Sequence, residues 1–192
     1  MISDQFNRFL KIFAIVGALS WFGYALYQHF AQREPGDLAY LAGNTQFKDS
    51  NFKRAAEDYR QALSEDPGHT PAMRGLANSL IQLKRYKEAL ALMDKVVAME
   101  PDFGGNYAIR GIVNDYLGNY QQAVADYQKG LALDKKIADG MHWLDRLLRN
   151  VQTKPPTVAD RLRYLKAELA KPESERLMRV PELDQKQRGY EQ

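Results

Sequence analysis

The chain has 192 residues, of which 45% are hydrophobic and 27% charged, and it contains no cysteine. This length accommodates one domain or two small ones, and the composition excludes a chain that is disordered throughout. Without cysteine, a disulfide framework, a thiolate nucleophile and a cysteine-ligated metal site are all excluded.

The net charge of +3 is spread too evenly to indicate a nucleic-acid partner. Residues 35–150 contain fifteen basic and fifteen acidic side chains, and neither flanking segment forms a basic stripe. A surface that follows phosphates concentrates lysine and arginine on one face. We therefore expect no nucleic acid among the partners of this chain.

The first organised segment is residues 12–31, IFAIVGALSWFGYALYQHFA, which carries no charged side chain. Twenty helical residues extend for about 30 Å, the thickness of a bilayer core. Arg8 and Lys11 precede the segment and only Arg33 follows closely. The positive-inside rule therefore predicts that residues 1–34 form a transmembrane signal anchor with a cytoplasmic N-terminus and an exported remainder.

A cleaved signal peptide is the alternative, with small-x-small sites at Ala18-Leu19-Ser20 and Gly23-Tyr24-Ala25. The apolar run exceeds the signal-peptide core of about 7–15 residues, which favours an uncleaved anchor. Ala14 and Ala18 form a small-xxx-small pair, with Trp21 near the middle of the bilayer. These residues either face lipid or dock against another membrane protein.

After the break at Pro35-Gly36, six sets of similar residues recur every 34 positions. The sets are Gly43/Ala77/Gly111, Phe52/Tyr86/Tyr120, Ala55/Ala89/Ala123, Tyr59/Met93/Tyr127, Asp66/Glu100/Asp134 and Pro67/Pro101. Self-similarity at this period predicts an array of helix–turn–helix units. We expect first helices over Asp37–Asp49, Pro71–Leu83 and Gly105–Leu117, and second helices over Phe52–Glu65, Tyr86–Met99 and Tyr120–Leu133.

These sets resemble those of the tetratricopeptide repeat (TPR) family. With the predicted anchor at residues 1–34, the chain resembles a membrane-anchored bacterial member of that family. The resemblance covers residues 36 to about 137, divided into units 36–69, 70–103 and 104–137, and it implies an all-α solenoid. Three positions depart from the family pattern. Arg110 replaces a leucine, Gly130 replaces an alanine, and Lys135 replaces the third proline, which leaves the last second helix free to run on.

The last unit needs a cap, for which we expect residues 138–171. Met141, Leu144, Leu147, Leu148 and Val151 recur at helical spacing, and a further helix is expected over Thr157–Ala170. Thr157 and Asp160 form a capping-box-like start for that helix. Residues 172–192 are polar and are expected to be a flexible tail, or an arm that becomes ordered on a partner.

The resemblance implies that the first helices line a groove in which a protein partner binds. The expected groove residues are Tyr40, Asn44, Phe47 and Lys48 in unit one, Arg74, Asn78, Ile81 and Gln82 in unit two, and Ala108, Ile112, Asp115 and Tyr116 in unit three. Aromatic side chains provide anchors, and asparagines bond peptide backbone. A solvated surface is the alternative for any one of them.

Some family members clamp the C-terminal carboxylate of a partner with basic and asparagine side chains at five positions. In one register this chain has Tyr40, Asn44, Gly75, Gly105 and Ile109, and in the next it has Arg74, Asn78, Ile109, Asp139 and Trp143. Four of the five residues depart from the clamp in the first register and three in the second. We therefore expect no carboxylate clamp.

No pattern in the chain indicates catalysis, a cofactor, a metal site or a small-molecule substrate. His29, His69 and His142 fall in three separate segments. We therefore expect a non-catalytic interaction scaffold, an accessory or assembly subunit of a protein complex in the bacterial inner membrane, with periplasmic repeats. A periplasmic chaperone for exported proteins, resembling those of cytochrome c maturation or the translocon, is the alternative, and a cytoplasmic adaptor needs only the opposite orientation.

Overall fold

A computed structural model describes residues 4–31, 34–140 and 156–179. All elements within these ranges are helices. The eight α-helices are α1 (Asp4–Ala31), α2 (Asp37–Lys48), α3 (Phe52–Glu65), α4 (Thr70–Gln82), α5 (Tyr86–Met99), α6 (Gly104–Tyr116), α7 (Tyr120–Leu133) and α8 (Val158–Leu169), with short 3₁₀ helices at Lys135–Ala138 and Glu173–Glu175. Helices α2 to α7 pack each against the next, as three helix–turn–helix units.

The second helix of every unit begins and ends at the predicted residues, and the first helices end one residue earlier than predicted. The start of α4 also differs, because Thr70 is already helical and Pro71 lies in the first turn. Proline suits that place, since the first helical N–H groups have no partner within the helix. The side chain of His69 caps this end by accepting a hydrogen bond from the backbone N–H of Ala72 at 3.1 Å.

The two helices of each unit approach closely where the sequence places a small residue. A Cβ on Gly43 would lie 2.7 Å from the ring of Tyr59, and one on Gly111 would lie 2.6 Å from the ring of Tyr127. Both tyrosines are almost completely buried. The glycines are therefore required by the space that the large ring of the same unit occupies.

Gly130 has a structural reason of the same kind. A Cβ at this position would lie 3.0 Å from the carbonyl oxygen of Gly104 and 3.3 Å from the backbone nitrogen of Ala108. Helix α7 therefore packs backbone to backbone against α6 here. Glycine is about 1 kcal/mol less favourable than alanine within a helix. At this position it allows a closer contact between the two helices.

The last second helix does not run on, so the expectation drawn from Lys135 is wrong. Helix α7 ends at Leu133, and Asp134 takes an extended conformation. The carboxylate of Asp134 then accepts a hydrogen bond from the backbone N–H of Lys136 at 2.9 Å and begins the 3₁₀ helix Lys135–Ala138. An aspartate that bonds the backbone locally thus ends α7 without a proline.

Helix α8 lies within one residue of its predicted bounds. Thr157 and Asp160 exchange side-chain and backbone hydrogen bonds as a capping box, as predicted. Leu165 is completely buried and belongs to the same core as the repeats. The five apolar residues predicted to cap the last unit, Met141 to Val151, lie outside the described residues.

The chain after α8 differs from the expected flexible tail over residues 172–179. The backbone N–H of Leu177 donates to the carboxylate of Glu168 at 2.8 Å, and the hydroxyl of Tyr164 donates to the carbonyl oxygen of Leu177. Met178 is half-buried against the core. These residues therefore fold back along α8, while residues 180–192 lie outside the described part of the chain.

Helix α1 contains a 23-residue stretch, Phe6–Gln28, that is long and apolar enough to cross a membrane. Its large side chains lie on the surface, and 72% of Trp21 is exposed. Ala14 and Ala18, the small pair predicted to dock against a partner helix, are exposed as well. Only residues 32–36 separate α1 from α2.

Candidate functional site

The twelve predicted groove residues all lie on α2, α4 and α6, but their exposure differs widely. Two are exposed, Lys48 and Gln82, and five are half-buried, Tyr40, Asn44, Phe47, Asn78 and Tyr116. The other five are buried, Arg74, Ile81, Ala108, Ile112 and Asp115. Solvent-accessible polar and aromatic surface is thus concentrated in units one and two.

In unit one the half-buried residues are held by neighbouring rings. The ring of Tyr40 lies 5.0 Å from the ring of His69, and the hydroxyl of Tyr59 donates to the side-chain oxygen of Asn44 at 2.7 Å. Burial raises the pKa of Tyr59, so this donor stays protonated. The side-chain oxygen of Asn44 is therefore committed to the fold, and its amide group is the part that suits a peptide carbonyl.

His69 joins unit one to unit two. Its Nδ1 accepts the hydrogen bond from Ala72, so Nε2 carries the proton of the neutral ring and donates to Asp37 at 3.2 Å. Asp37 lies at the start of α2 and His69 at the start of α4. The histidine thus fixes the relative position of two helices that carry predicted groove residues.

Arg74 is bonded mainly within unit two and also contacts Asn106 of unit three at 3.5 Å. Its guanidinium donates to the carboxylate of Glu100 at 2.5 Å and lies 4.8 Å from the ring centre of Phe103. Burial alone would raise the pKa of Glu100, but the hydrogen bond from Thr70 and the charge of Arg74, together with Asn106, outweigh it and hold the pKa below its ordinary value. The predicted groove arginine is therefore engaged within the protein.

In unit three two of the predicted groove residues, Asp115 and Tyr116, are contacted by the C-terminal part of the chain. Arg161 on α8 donates to both carboxylate oxygens of Asp115, at 2.6 and 2.8 Å. Arg179 donates to the backbone carbonyl oxygen of Asp115 at 2.9 Å, and its guanidinium lies 5.2 Å from the ring centre of Tyr116. The ring of Tyr116 in turn stacks on that of Tyr86.

The sequence did not assign Tyr86, Arg161 or Arg179 to this surface. From the sequence, Tyr86 is only a member of the recurring set Phe52/Tyr86/Tyr120, and the other two lie 46 and 64 residues from Asp115. The available signal was local. The tail is polar apart from Leu177, Met178, Val180 and Leu183, and Arg176 and Arg179 flank the first two, which is typical of a segment that packs on a surface.

The positions of the carboxylate clamp carry no free cation in the described part of the chain. In the first register, a side chain at Gly75 would collide with Tyr59 at 2.4 Å and one at Gly105 with Phe103 at 2.6 Å. In the second register, Arg74 is ion-paired and Ile109 is completely buried. Trp143, the last position of that register, lies outside the described residues.

The fold agrees with comparisons to known proteins. Models of the tetratricopeptide repeat match residues 46–108 and 106–137. The Hsp70-Hsp90 organizing protein of Triticum aestivum is 34% identical over 98 residues, which cover 51% of this chain and 17% of that protein. A DnaJ homolog subfamily C member 7 homolog of Schizosaccharomyces pombe is 31% identical over 109 residues, covering 55% of this chain and 23% of that protein.

Solved structures show the same fold at low sequence identity. The first TPR of Spaghetti (RPAP3), bound to the HSP90 peptide SRMEEVD, superposes with a TM-score of 0.58 at 20% identity, covering 71% of this chain and 94% of that one. The Sgt2 TPR domain of Aspergillus fumigatus gives a TM-score of 0.53 at 17% identity, covering 71% and 85%. This chain spans less than a quarter of the length of the two curated relatives named above.

The arrangement defines a helical repeat module for protein–protein interaction. Residues 46–137 match tetratricopeptide repeats, which confirms the repeats predicted from the sequence. The membrane anchor and the bacterial origin stay predictions.

Proposed function

We propose that the chain is a non-catalytic TPR adaptor held beside a membrane by α1, where it serves as an accessory or assembly subunit of a membrane protein complex. One observation carries the proposal. Every large apolar side chain of α1 between Phe6 and Tyr27 is exposed, so the helix leaves a surface that water does not favour. A bilayer, or another apolar helix within it, covers such a surface.

The short link between α1 and α2 supports a position close to the membrane. Five residues separate Ala31 from Asp37, and an extended chain spans about 3.3–3.6 Å per residue. The first repeat therefore lies within about 20 Å of the end of the apolar helix. A partner bound to the repeats and a partner bound to α1 would belong to one membrane complex.

Units one and two supply the accessible part of the groove. Lys48 and Gln82 are exposed, and Tyr40, Phe47 and Asn78 on the same two helices are half-buried. Half-buried aromatic rings are typical anchors of protein interfaces, and amide side chains bond a peptide backbone in either direction. We therefore place the protein partner on units one and two.

The location proposed for the chain is the bacterial inner membrane, with the repeats in the periplasm. Arg8 and Lys11 on one side of the apolar stretch support this orientation. Because the chain has no cysteine, single introduced cysteines report the orientation of the chain directly. We expect a membrane-impermeant maleimide to label Ser64→Cys but not Asn7→Cys in intact spheroplasts. The reverse pattern would support a cytoplasmic adaptor instead.

A chaperone that holds exported or immature proteins is the second candidate. The two relatives named above support it, because one is an Hsp70-Hsp90 organizing protein and the other a DnaJ homolog subfamily C member 7 homolog. The engaged Arg74 and the glycines at the clamp positions argue against capture of a C-terminal carboxylate of the kind in the peptide SRMEEVD. A chaperone of this kind would instead hold apolar segments along Tyr40 and Phe47.

Affinity purification in mild detergent separates the two candidates. The tagged full-length chain is compared with a chain lacking residues 1–34 and with an Ala14→Leu/Ala18→Leu variant, and Val16→Leu, elsewhere on α1, is the matched control. A stoichiometric membrane partner that is lost from the truncated chain and from Ala14→Leu/Ala18→Leu, but retained by Val16→Leu, supports the adaptor. A diffuse set of soluble proteins retained by all four chains supports the chaperone.

Removing the groove contacts tests the repeats independently of α1. Lys48→Glu combined with Gln82→Ala changes the two exposed groove positions, and Lys87→Glu, on the exposed surface of α5, is the charge-matched control. We expect the first change to weaken partner recovery at least tenfold and the control to leave it unchanged. Equal recovery from both would remove units one and two from the interface.

A further inference from the structure

The segment that follows α8 runs along that helix and ends on unit three. Arg176 donates to the backbone carbonyl oxygen of Lys171 at 2.9 Å, and the backbone N–H of Leu177 is held by Glu168. Arg176 is in extended conformation. Residues 176–179, Arg-Leu-Met-Arg, therefore lie as a short extended peptide whose main chain is bonded at Leu177 and at Met178.

The end of this segment occupies a small site that we call the Tyr116 subsite, formed by Tyr86, Tyr116 and the backbone carbonyl of Asp115. The rings of Tyr86 and Tyr116 are 4.7 Å apart and within 5° of parallel. The guanidinium of Arg179 lies over the ring of Tyr116 and donates to the carbonyl oxygen of Asp115. Met178 packs against the core beside it, and its carbonyl oxygen accepts from Arg161 at 2.9 Å.

Three features of the Tyr116 subsite favour an arginine. The face of a tyrosine ring attracts a flat cation. Asp115 lies in the last turn of α6, where the helix dipole presents negative charge. Its carbonyl oxygen accepts the backbone N–H of Gly118 at 3.1 Å and has a second lone pair for Arg179. A guanidinium also has several N–H donors in one plane, so it stacks on the ring and donates to the carbonyl at the same time.

We propose that the Tyr116 subsite binds extended segments in which an apolar residue is followed by arginine, and that residues 176–179 fill it until a partner segment of the same chemistry displaces them. This proposal rests on the proposed function of the groove as a protein-binding surface. It adds the chemistry of the partner segment that unit three binds and the way in which that binding is regulated. Leu177 is 64% exposed, so its side chain adds little to the binding of the resident segment.

Displacement is a competition between a tethered and a free ligand. A tethered segment acts at an effective concentration in the millimolar range for short linkers. A free peptide of the same sequence therefore binds the native chain weakly. Weakening the resident segment at Met178 and Arg179 leaves the Tyr116 subsite intact and should strengthen binding of the free peptide.

The probe is the fluorescent, C-terminally amidated peptide KPESERLMR, which is residues 171–179. It is titrated onto the full chain in detergent micelles, as wild type, as Met178→Ala/Arg179→Ala, and as Arg163→Ala. The last is a matched control, because Arg163 lies on α8 with 78% of its side chain exposed. We expect the double variant to bind at least tenfold more tightly than the other two chains, and a peptide ending in alanine to lose this binding. Equal affinity for all three chains would overturn the proposal.

Hydrogen exchange on the wild-type chain gives a second test that needs no variant. Saturating peptide should speed exchange in residues 172–179 and leave α2 to α5 unchanged. Unchanged exchange at 172–179 despite saturation would mean that the peptide binds elsewhere and would also overturn the proposal. If these tests fail while the membrane partner still co-purifies with the wild type and with Met178→Ala/Arg179→Ala, the adaptor function stands and only this inference is lost.

Discussion

Arg161 on α8 and Asp115 on α6 form a two-point ion pair across 46 residues of sequence. Only 5% and 4% of the two side chains are exposed. The hydroxyl of Tyr127 also donates to Asp115 at 3.4 Å. Burial, and then the charge of Asp115, raises the pKa of Tyr127 well above its ordinary value. The pair therefore joins the C-terminal helix to the last repeat through a site that excludes water.

Removing one member of this pair should destabilise the protein strongly. Arg161→Ala leaves the buried carboxylate of Asp115 without its counter-charge, and such a change costs about 3–5 kcal/mol. Urea unfolding followed by circular dichroism measures the loss. The double variant Asp115→Ala/Arg161→Ala should cost less than the sum of the single changes, and Arg163→Ala should cost less than about 0.5 kcal/mol. Additive losses would show that the two residues do not interact.

The contact between Gly43 and Tyr59 predicts a compensating pair of substitutions. Gly43→Ala places a methyl group 2.7 Å from the ring of Tyr59, and overpacking of this kind costs about 1–3 kcal/mol. Unit two carries Ala77 and Met93 at the same two positions, and a flexible methionine accommodates the larger neighbour.

Gly43→Ala/Tyr59→Met should therefore regain part of the stability lost in Gly43→Ala. The recovery is incomplete, because the hydrogen bond from Tyr59 to Asn44 is lost, at about 1 kcal/mol. Thermal unfolding of the three chains measures both effects. Gly17→Ala, with no atom near its added methyl group, is the control. A double variant less stable than Gly43→Ala would contradict the prediction.

Arg110 predicts that restoring the usual residue of the family is harmful. Its guanidinium donates to Asp126 at 2.6 and 3.0 Å, and only 6% of the Asp126 side chain is exposed. Arg110→Leu would leave this carboxylate with the hydrogen bond from Asn114, at 3.0 Å, and without a counter-charge from Arg110. We expect a loss of about 2–3 kcal/mol in urea unfolding.

The second partner of Arg110 gives the matched control. Asp94 bonds the same guanidinium at 3.2 Å, but 56% of its side chain is exposed. Asp94→Asn should therefore cost less than about 0.5 kcal/mol. If Arg110→Leu were neutral or stabilising, the bond to Asp126 would not contribute to the fold.

Glu100 predicts a loss of stability in acid. Its pKa in the folded protein lies below the ordinary value of 4.5, so the unfolded chain binds the proton more readily. The contribution of Glu100 is therefore complete above about pH 4.5 and disappears as the pH falls through the folded pKa. Glu100→Gln should flatten the fall in stability between about pH 5 and pH 3, as measured by urea unfolding at each pH. Glu57→Gln, on the exposed surface of α3, should leave the acid profile steep.

The helices of the repeats were predictable because their signals are local. The second helices match their predicted bounds at both ends, since each begins at an aromatic residue after a polar turn and ends before an acidic residue. The turn residue with positive φ recurs with the same period, at Ser50, Lys84 and Gly118. Only the last is a glycine, so backbone geometry here follows from the repeat and not from the residue type.

The groove was harder to predict, because position on a helix does not decide exposure. Arg74 and Asp115 occupy groove positions in the family pattern, yet both are buried in ion pairs. Their partners lie 26 and 46 residues away. Which polar side chains meet water depends on where those distant residues are brought.

By itself, the sequence determined the 34-residue period, the helices of each unit and the complementary sizes of the paired small and large residues. These follow from short-range rules of helix formation and from volumes that must fit within one unit. Only the tertiary structure decided that residues 172–179 pack on α8, that Arg161 neutralises Asp115 and that Arg179 covers Tyr116. Those contacts join parts of the chain that have no common periodicity, and their energy depends on burial that only the assembled fold creates.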